Sequence, residues 1–258
     1  MFREETGTPV RVPDDWYVGF HTGLAARFWR AAAAAMADDD AALVLGALDR
    51  EPGATVLDVP CGDGRLTVRL AAAGYRAIGV DIVAEEVEHA RRAAAQAGVE
   101  ASFQTGDLRD LPDVGPVDAI VSWGNSFGYL LPGDSERSLA GMRRLLRPGG
   151  RLVLESLTVA ESLLAGGVKP TAEYEFGGVR MTMTNHYRAD ESRLESDLLL
   201  EDADGAVERA RSAHHVHTTG ELVRWLEAAG FGQVRLLAGD GESPYELGAP
   251  RLIVVADV

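Results

Sequence analysis

The chain has 258 residues, enough for one α/β core with an insertion and for a hydrophobic interior that needs no covalent staples. Its single cysteine, Cys61, excludes an internal disulfide and fits a reducing, cytoplasmic setting. No apolar run reaches the ~18–20 residues that span a bilayer, and Met1–Glu5 lacks the basic-then-apolar pattern of a signal peptide. The 25 Lys and Arg against 40 Asp and Glu leave a formal charge of −15, which repels a phosphate backbone and argues against nucleic acid as a partner.

Residues 1–13, with Gly7, Pro9 and Pro13, read as a flexible lead-in. From Asp14 the pattern turns helical, because Trp16, Phe20, Leu24 and Phe28 recur every four residues on one face. A second helix is expected over 38–49. Strands and helices then alternate: a strand over Thr55–Val59, a helix over Arg65–Ala73 closed by Gly74, a strand over Ala77–Asp81, and a helix over Glu85–Gln96 closed by Gly98. Two further strands are expected over Ala101–Gln104 and Val117–Trp123. A helix over Ser135–Leu146 turns at Pro148-Gly149-Gly150 into a fifth strand, Arg151–Glu155. Residues 171–218 break the rhythm. Met181–His186, Leu194–Leu200 and Val207–Val216 alternate in strand fashion between turn signals, which predicts an antiparallel insertion of three or four strands. A helix over Glu221–Ala229 and strands over Gln233–Leu237 and Arg251–Ala256 complete the chain. The fold class this implies is α/β: a doubly wound, Rossmann-like, mostly parallel sheet of seven strands, with an antiparallel β insertion after strand five and an N-terminal helical cap.

The chemistry-bearing segment is Val56-Leu57-Asp58-Val59-Pro60-Cys61-Gly62-Asp63-Gly64-Arg65. A strand ends, a glycine turn follows and a helix begins. Without Cβ atoms the turn lets a ligand approach the backbone at the carboxyl edge of the sheet. Asp81 ends the next strand, where an acidic side chain can accept both ribose hydroxyl hydrogens of an adenosine. A dinucleotide fingerprint requires Gly or Ala where Thr67 stands. Asp58 and Asp63 put negative charge beside the loop, which suits an ammonium and a sulfonium better than a pyrophosphate.

On these residues the chain resembles the class I S-adenosylmethionine-dependent methyltransferases of small-molecule type. The first motif is Leu57 to Arg65, the second Gly79-Val80-Asp81-Ile82, and the adenine-side motif Gly106-Asp107-Leu108. Leu146 to Leu152 matches the turn into strand five, and Asp118 to Tyr129 the fourth-strand motif. The resemblance implies S-adenosyl-L-methionine as cofactor, held by a set spanning Asp58, Pro60, Cys61, Gly62, Gly64, Arg65, Asp81, Ile82, Asp107, Leu108, Trp123, Gly124, Asn125 and Phe127. In that set Gly62 and Gly64 lie beneath the methionine part, and Arg65 reaches its carboxylate. Asp81 holds the ribose with Ile82 against the adenine. Asp107 accepts from the adenine amino group and Leu108 packs on the ring. Trp123, Gly124, Asn125 and Phe127 wall the sulfonium end. Cys61 reads as a structural thiol. The corresponding division is a helical cap over 1–50, a cofactor-binding core over 51–170, the insertion over 171–217 as substrate roof or dimer contact, and the rest of the core over 218–258.

Methyl transfer to a hydroxyl requires a general base, whereas a neutral amine needs little further help. The candidate catalytic contacts are His21, Tyr17, His186 and His215, with His214 and His217 also available as bases. Tyr17 and Tyr129 can cover a sulfonium by cation–π contact. Strand alternation puts His215 and His217 on one face and His214 on the other, which argues against a metal site. The expected activity is methyl transfer to a small-molecule O- or N-nucleophile by a monomer or homodimer. The alternatives are an NAD(P)-dependent oxidoreductase and a non-catalytic S-adenosylmethionine-binding protein.

Overall fold

The computed structural model describes residues 11–258, so most of the expected lead-in lies outside the described residues. The part of it that is described is pinned: Val12 is buried, and Arg193 donates to its carbonyl oxygen at 2.7 Å. A 3-10 turn at Trp16–Val18 precedes α1 (Gly23–Ala35) and α2 (Ala37–Leu48). The four-residue repeat from Trp16 therefore does not form one helix. Thr22 is extended, and α1 begins only where a carboxylate from the insertion, Glu208, accepts the Leu24 N–H at 2.7 Å and the Ala25 N–H at 3.4 Å. The otherwise unpaired first N–H groups of the helix are satisfied across 184 residues of sequence.

The core follows as β1 (Thr55–Asp58), α3 (Arg65–Ala72), β2 (Arg76–Asp81), α4 (Ala84–Ala97), β3 (Ala101–Thr105), β4 (Val117–Ser122), α5 (Pro132–Leu145), β5 (Leu146–Ser156) and α6 (Ala160–Leu163). The insertion is β6 (Thr171–Phe176), β7 (Val179–Arg188), β8 (Arg193–Asp202) and β9 (Val207–His215). The core resumes with α7 (Thr219–Ala229), β10 (Val234–Leu237) and β11 (Leu252–Asp257). Thr218 and Glu221 form a reciprocal capping box that sets the start of α7.

The large sheet has seven strands in the order β10-β11-β5-β4-β1-β2-β3. Its pairs are parallel except those made by β11, which runs antiparallel to β10 and β5. The strand order reverses beside β1, between β2 and β4, and opens a crevice at the carboxyl ends there. Each face of the sheet buries its own apolar cluster. Val56, Leu66, Leu70, Val121 and Val153 lie on the side of α2 and α3. Leu57, Ile120, Leu139, Met142, Leu154 and Leu226 lie on the side of α5 and α7.

The insertion is a separate antiparallel sheet, β6-β7-β8-β9. One of its faces packs on the N-terminal cap: Val179, Met181, Leu198 and Leu200 meet Phe20, Ala25, Phe28 and Ala32 in one buried cluster. Burying the large ones among these side chains stabilises by roughly 1.5–3 kcal/mol each, so the cap and the insertion pack as one unit. Among the described residues no helix is long and apolar enough to cross a membrane.

Candidate functional site

The glycine loop leaves β1 at Asp58 and enters α3 at Arg65. Gly62 and Gly64 both take positive φ, +53° and +81°. A Cβ on Gly64 would lie 2.7 Å from Ala90 Cβ on α4, so only glycine allows α4 to close beneath the turn. A Cβ on Gly62 would meet nothing within 4 Å, so the space above that residue is open. The loop is knitted to β2 by Asp81, whose carboxylate accepts the Gly62 N–H at 2.8 Å and the Val83 N–H at 2.9 Å. Burial raises the Asp81 pKa, opposed by those backbone hydrogen bonds. Two of its roughly four lone-pair sites remain to accept hydroxyl hydrogens.

Asp58 has a different place from the one its sequence position suggests. It is 1 % exposed beneath the loop, where Thr67 Oγ1 donates to it at 2.6 Å. Burial pushes its pKa up to about 7, so its charge beside the loop is muted. The same hydrogen bond explains Thr67, which locks α3 to β1 at a position where a dinucleotide site needs a small residue. Negative charge at the loop comes instead from Asp63 with Glu86, which Arg30 of α1 bridges at 2.6 Å. Cys61 is buried with Val87, Ala90 and Phe103, and burial drives its thiol pKa up. The Cys61 backbone shapes the loop and its sulfur is core. Pro60 precedes it in the same turn, and Ile82, half-buried, follows Asp81.

On the β3 side, Arg109 holds Asp107 with hydrogen bonds of 2.6 and 3.0 Å from its guanidinium. Burial raises Asp107, but these bonds and the charge of Arg109 outweigh it and hold the carboxyl below its usual range. Arg109 also lies over the Tyr17 ring at 5.9 Å, which brings the cap to this end of the crevice. Leu108 is buried in the main core.

The exit of β4 is pinned by neighbours. Gly124 N–H donates to Glu155 at 2.7 Å, and Asn125 Oδ1 accepts the Leu157 N–H at 2.8 Å. Two expected wall residues turn away from the crevice. Phe127 is 1 % exposed in the core, edge-on to His217 at 5.9 Å. Trp123 is buried in the cluster on the α2 side, with Arg251 over its ring at 5.4 Å. Both lie past the end of β4, Phe127 in a 3-10 turn over Ser126–Tyr129, where strand alternation no longer fixes the direction of a side chain.

The residues that do gather opposite the loop are aromatic. Tyr17 stacks on Tyr129 at 5.7 Å, Trp16 is edge-on to Tyr129 at 4.7 Å, and His214 meets Tyr129 at 5.1 Å and Trp16 at 5.9 Å. Burial drives Tyr129 up to about 12 and His214 down to about 4, so both are neutral at pH 7. The Asp81 charge also acts on the Tyr129 hydroxyl and raises it further. His214 Nδ1 is buried and has no hydrogen-bond partner among the described residues.

The pairing Leu194↔His214 puts His214 on the sheet face shared with Met181, Leu198 and Leu200. His186 and His215 therefore fall on the other face. His186 Nε2 lies 3.6 Å from Asp197, and His215 lies beside Arg193 and Glu221. Neither reaches the aromatic group, so the imidazole expected at the pocket mouth is His214. His21 stays on the cap, edge-on to Phe20 at 5.2 Å; burial lowers its pKa, with Glu86 acting against that. His217 is core, packed between Phe127 and Trp225. A shallow depression of about 1110 Å³ follows mainly the amino-terminal ends of β1–β3, opposite the glycine loop, and holds no cluster of catalytic groups.

Residues 56–150 match the methyltransferase domain family. A cypemycin N-terminal methyltransferase from a Streptomyces species is 34% identical over 132 residues, 50% of this chain and 52% of that protein. An S-adenosyl-L-methionine-dependent Diels-Alderase from Talaromyces variabilis is 32% identical over 115 residues, 43% of this chain and 39% of that protein. The chain thus aligns with about half or less of the length of these curated relatives. Among solved structures, the CcbJ methyltransferase from Streptomyces caelestis superposes with a TM-score of 0.73 at 17% identity, over 86% of this chain and 88% of that one. That likeness is one of fold.

Proposed function

We propose that this chain, whose residues 56–150 match the methyltransferase domain family, is a class I S-adenosylmethionine-dependent methyltransferase that transfers the cofactor's methyl group to an oxygen or nitrogen nucleophile of a small molecule seated between the glycine loop and the roof. The observation that carries this reading is Asp81. Its carboxylate stands at the end of β2, tied to Gly62 and still able to accept, beneath the open space over that glycine.

The residues present fit the cofactor. Asp81 would accept from the ribose hydroxyls, with Ile82 and the Arg109-held Asp107 on the adenine side. Asp63 supplies negative charge for an ammonium, and Arg65 supplies positive charge for a carboxylate. The bound cofactor contributes a methyl already activated on a positive sulfur, so the protein's task is to align the acceptor and exclude water. Trp16, Tyr17 and Tyr129 do this from the cap and the β4 exit. Neutral His214 has an unpartnered Nδ1 to take a hydrogen bond from the acceptor and orient it; its pKa, held at about 4 by burial, makes it a hydrogen-bond acceptor rather than a strong base. The roof's uncharged, aromatic lining and the chain's net charge of −15 both favour a small organic acceptor over nucleic acid.

A second reading keeps the cofactor but not the methyl transfer, and the similarity to a Diels-Alderase named for S-adenosylmethionine supports it. Two measurements separate the possibilities. Isothermal titration with S-adenosylmethionine, S-adenosylhomocysteine and NAD should show micromolar binding of the first two and none of the third; NAD binding alone sinks the reading. Label from methyl-tritiated cofactor should then appear in a small-molecule acceptor. His214→Phe, which keeps an aromatic ring, should slow that transfer about 100-fold with S-adenosylhomocysteine affinity unchanged. Cofactor binding without transfer to any acceptor in a broad amine and phenol panel favours the second reading.

A further inference from the structure

Four charges, two buried carboxylates and two half-buried guanidinium groups, connect the two sides of the crevice. Arg65, the first residue of α3, donates from Nη1 to Asp40 of α2 at 2.8 Å. The other oxygen of Asp40 takes Arg251 Nη2, also at 2.8 Å. Arg251 Nε lies 2.5 Å from Glu155 Oε1, and Glu155 Oε2 accepts the Gly124 N–H at 2.7 Å. Asp40 and Glu155 are each 2 % exposed, so neither charge is balanced by water. The charges alternate and sum to zero, the arrangement that lets buried ions persist.

The chain starts and ends at one place. A Cβ on Gly124 would meet nothing but Arg65 Nη2, 4.0 Å away, so the guanidinium borders the space over Gly124. Nη1 is fixed by Asp40, while Nη2 has no hydrogen bond among the described residues. The other cations at the crevice are committed, Arg30 to Glu86 and Arg109 to Asp107.

We propose that Asp40 and Arg251 are positioning residues that hold Arg65 as the crevice's cation for the amino-acid carboxylate of the cofactor. This rests on the S-adenosylmethionine reading above. Without Asp40, Arg251 would keep Glu155 but Arg65 would lose its carboxylate and face the Arg251 guanidinium, and Arg65 would leave the Gly124 side. Arg251 presents Asp40 in the right geometry, braced on Glu155 and on the Trp123 ring. The network spans α2, α3, β5 and the residue that precedes β11, so methionine-end recognition depends on residues far from the glycine loop in sequence.

The test compares S-adenosylhomocysteine with 5′-methylthioadenosine, which keeps the nucleoside and lacks the amino acid, by isothermal titration against the full chain. The wild type should bind S-adenosylhomocysteine at least tenfold more tightly. Arg65→Gln should cost S-adenosylhomocysteine about 30-fold and 5′-methylthioadenosine less than twofold. Asp40→Asn should cost the first ligand about tenfold, spare the second, and add nothing when combined with Arg65→Gln. Equal losses for both ligands in either variant would overturn the proposal, as would additive losses in the double variant. Equal wild-type affinity for the two ligands sinks the carboxylate role and leaves the methyltransferase reading intact, whereas binding of neither sinks both. If Asp40→Asn does not fold, as judged by its thermal transition, Arg251→Lys takes its place with the same expected selectivity.

Discussion

The two sheets build their halves of the site in different ways. The seven-stranded sheet forms its half from one strand-turn-helix unit and the next strand end: Gly62, Gly64 and Asp81 lie within 20 residues, and the contacts are largely backbone N–H to carboxylate. The roof forms its half from side chains that start far apart. Trp16 comes from the cap, Tyr129 from the β4 exit and His214 from β9, and they meet only when the insertion sheet docks on α1. A site part made by local geometry is rigid and general; one made by docking is adjustable, which is why the proposed acceptor side is placed there.

The largest expected effect tests the rigidity of the loop. Gly64→Val adds a branched side chain at φ +81° and 2.7 Å from Ala90, and should destabilise by about 4 kcal/mol, read as loss of the cooperative thermal transition or of S-adenosylhomocysteine binding. Retention of both would show that the turn can open. The next effect concerns protons. Burial holds His217 near 4, whereas an imidazole in the unfolded chain titrates near 6.5. On acidification the unfolded state takes up the proton first. The stability from burying this neutral imidazole is therefore complete above about pH 6.5 and lost progressively toward pH 4. Urea denaturation of wild type and His217→Leu at pH 7 and pH 4 should differ in pH dependence by roughly 3 kcal/mol; parallel curves would mean that His217 is protonated in the fold.

Asp81→Ala should weaken S-adenosylhomocysteine by roughly 2 kcal/mol, the scale of lost hydrogen bonds to a charged group. Unchanged affinity by calorimetry would take Asp81 out of the site. The smallest effect isolates the roof. Glu208→Ala removes the cap of α1 and should cost about 1 kcal/mol, a drop of about 3 °C in Tm, with S-adenosylhomocysteine affinity within twofold. A tenfold loss of affinity would show that the roof and the loop act as one unit.

The elements most legible in the sequence were those with short-range causes. Strand ends, the glycine turn and the closing Gly74, Gly98 and Gly230 follow from backbone conformations that few residues adopt. Three of the four insertion strands were visible as alternation broken by turn signals, and β6, over Thr171–Phe176, was not among them. The break between Trp16 and α1 was not, because the acceptor that starts the helix is Glu208, more than 180 residues away. Phe127 and Trp123 carry the residue types of a pocket wall, yet the loop and 3-10 turn that follow β4 bury them. Asp58 looked like a charge at the loop until burial beneath it and the Thr67 hydrogen bond were seen.

The sequence by itself determined the seven-stranded core, the loop between β1 and α3, and Asp81 beside it, because each depends on residues close in the chain and on periodicity that a strand or helix imposes locally. Only the tertiary structure decided that His214 rather than His186 or His215 meets Trp16 and Tyr129, and that Arg65 is held through Asp40, Arg251 and Glu155. A one-residue change in strand register exchanges the faces of every side chain on β9, and a buried ion pair exists only where folding has excluded water from both partners.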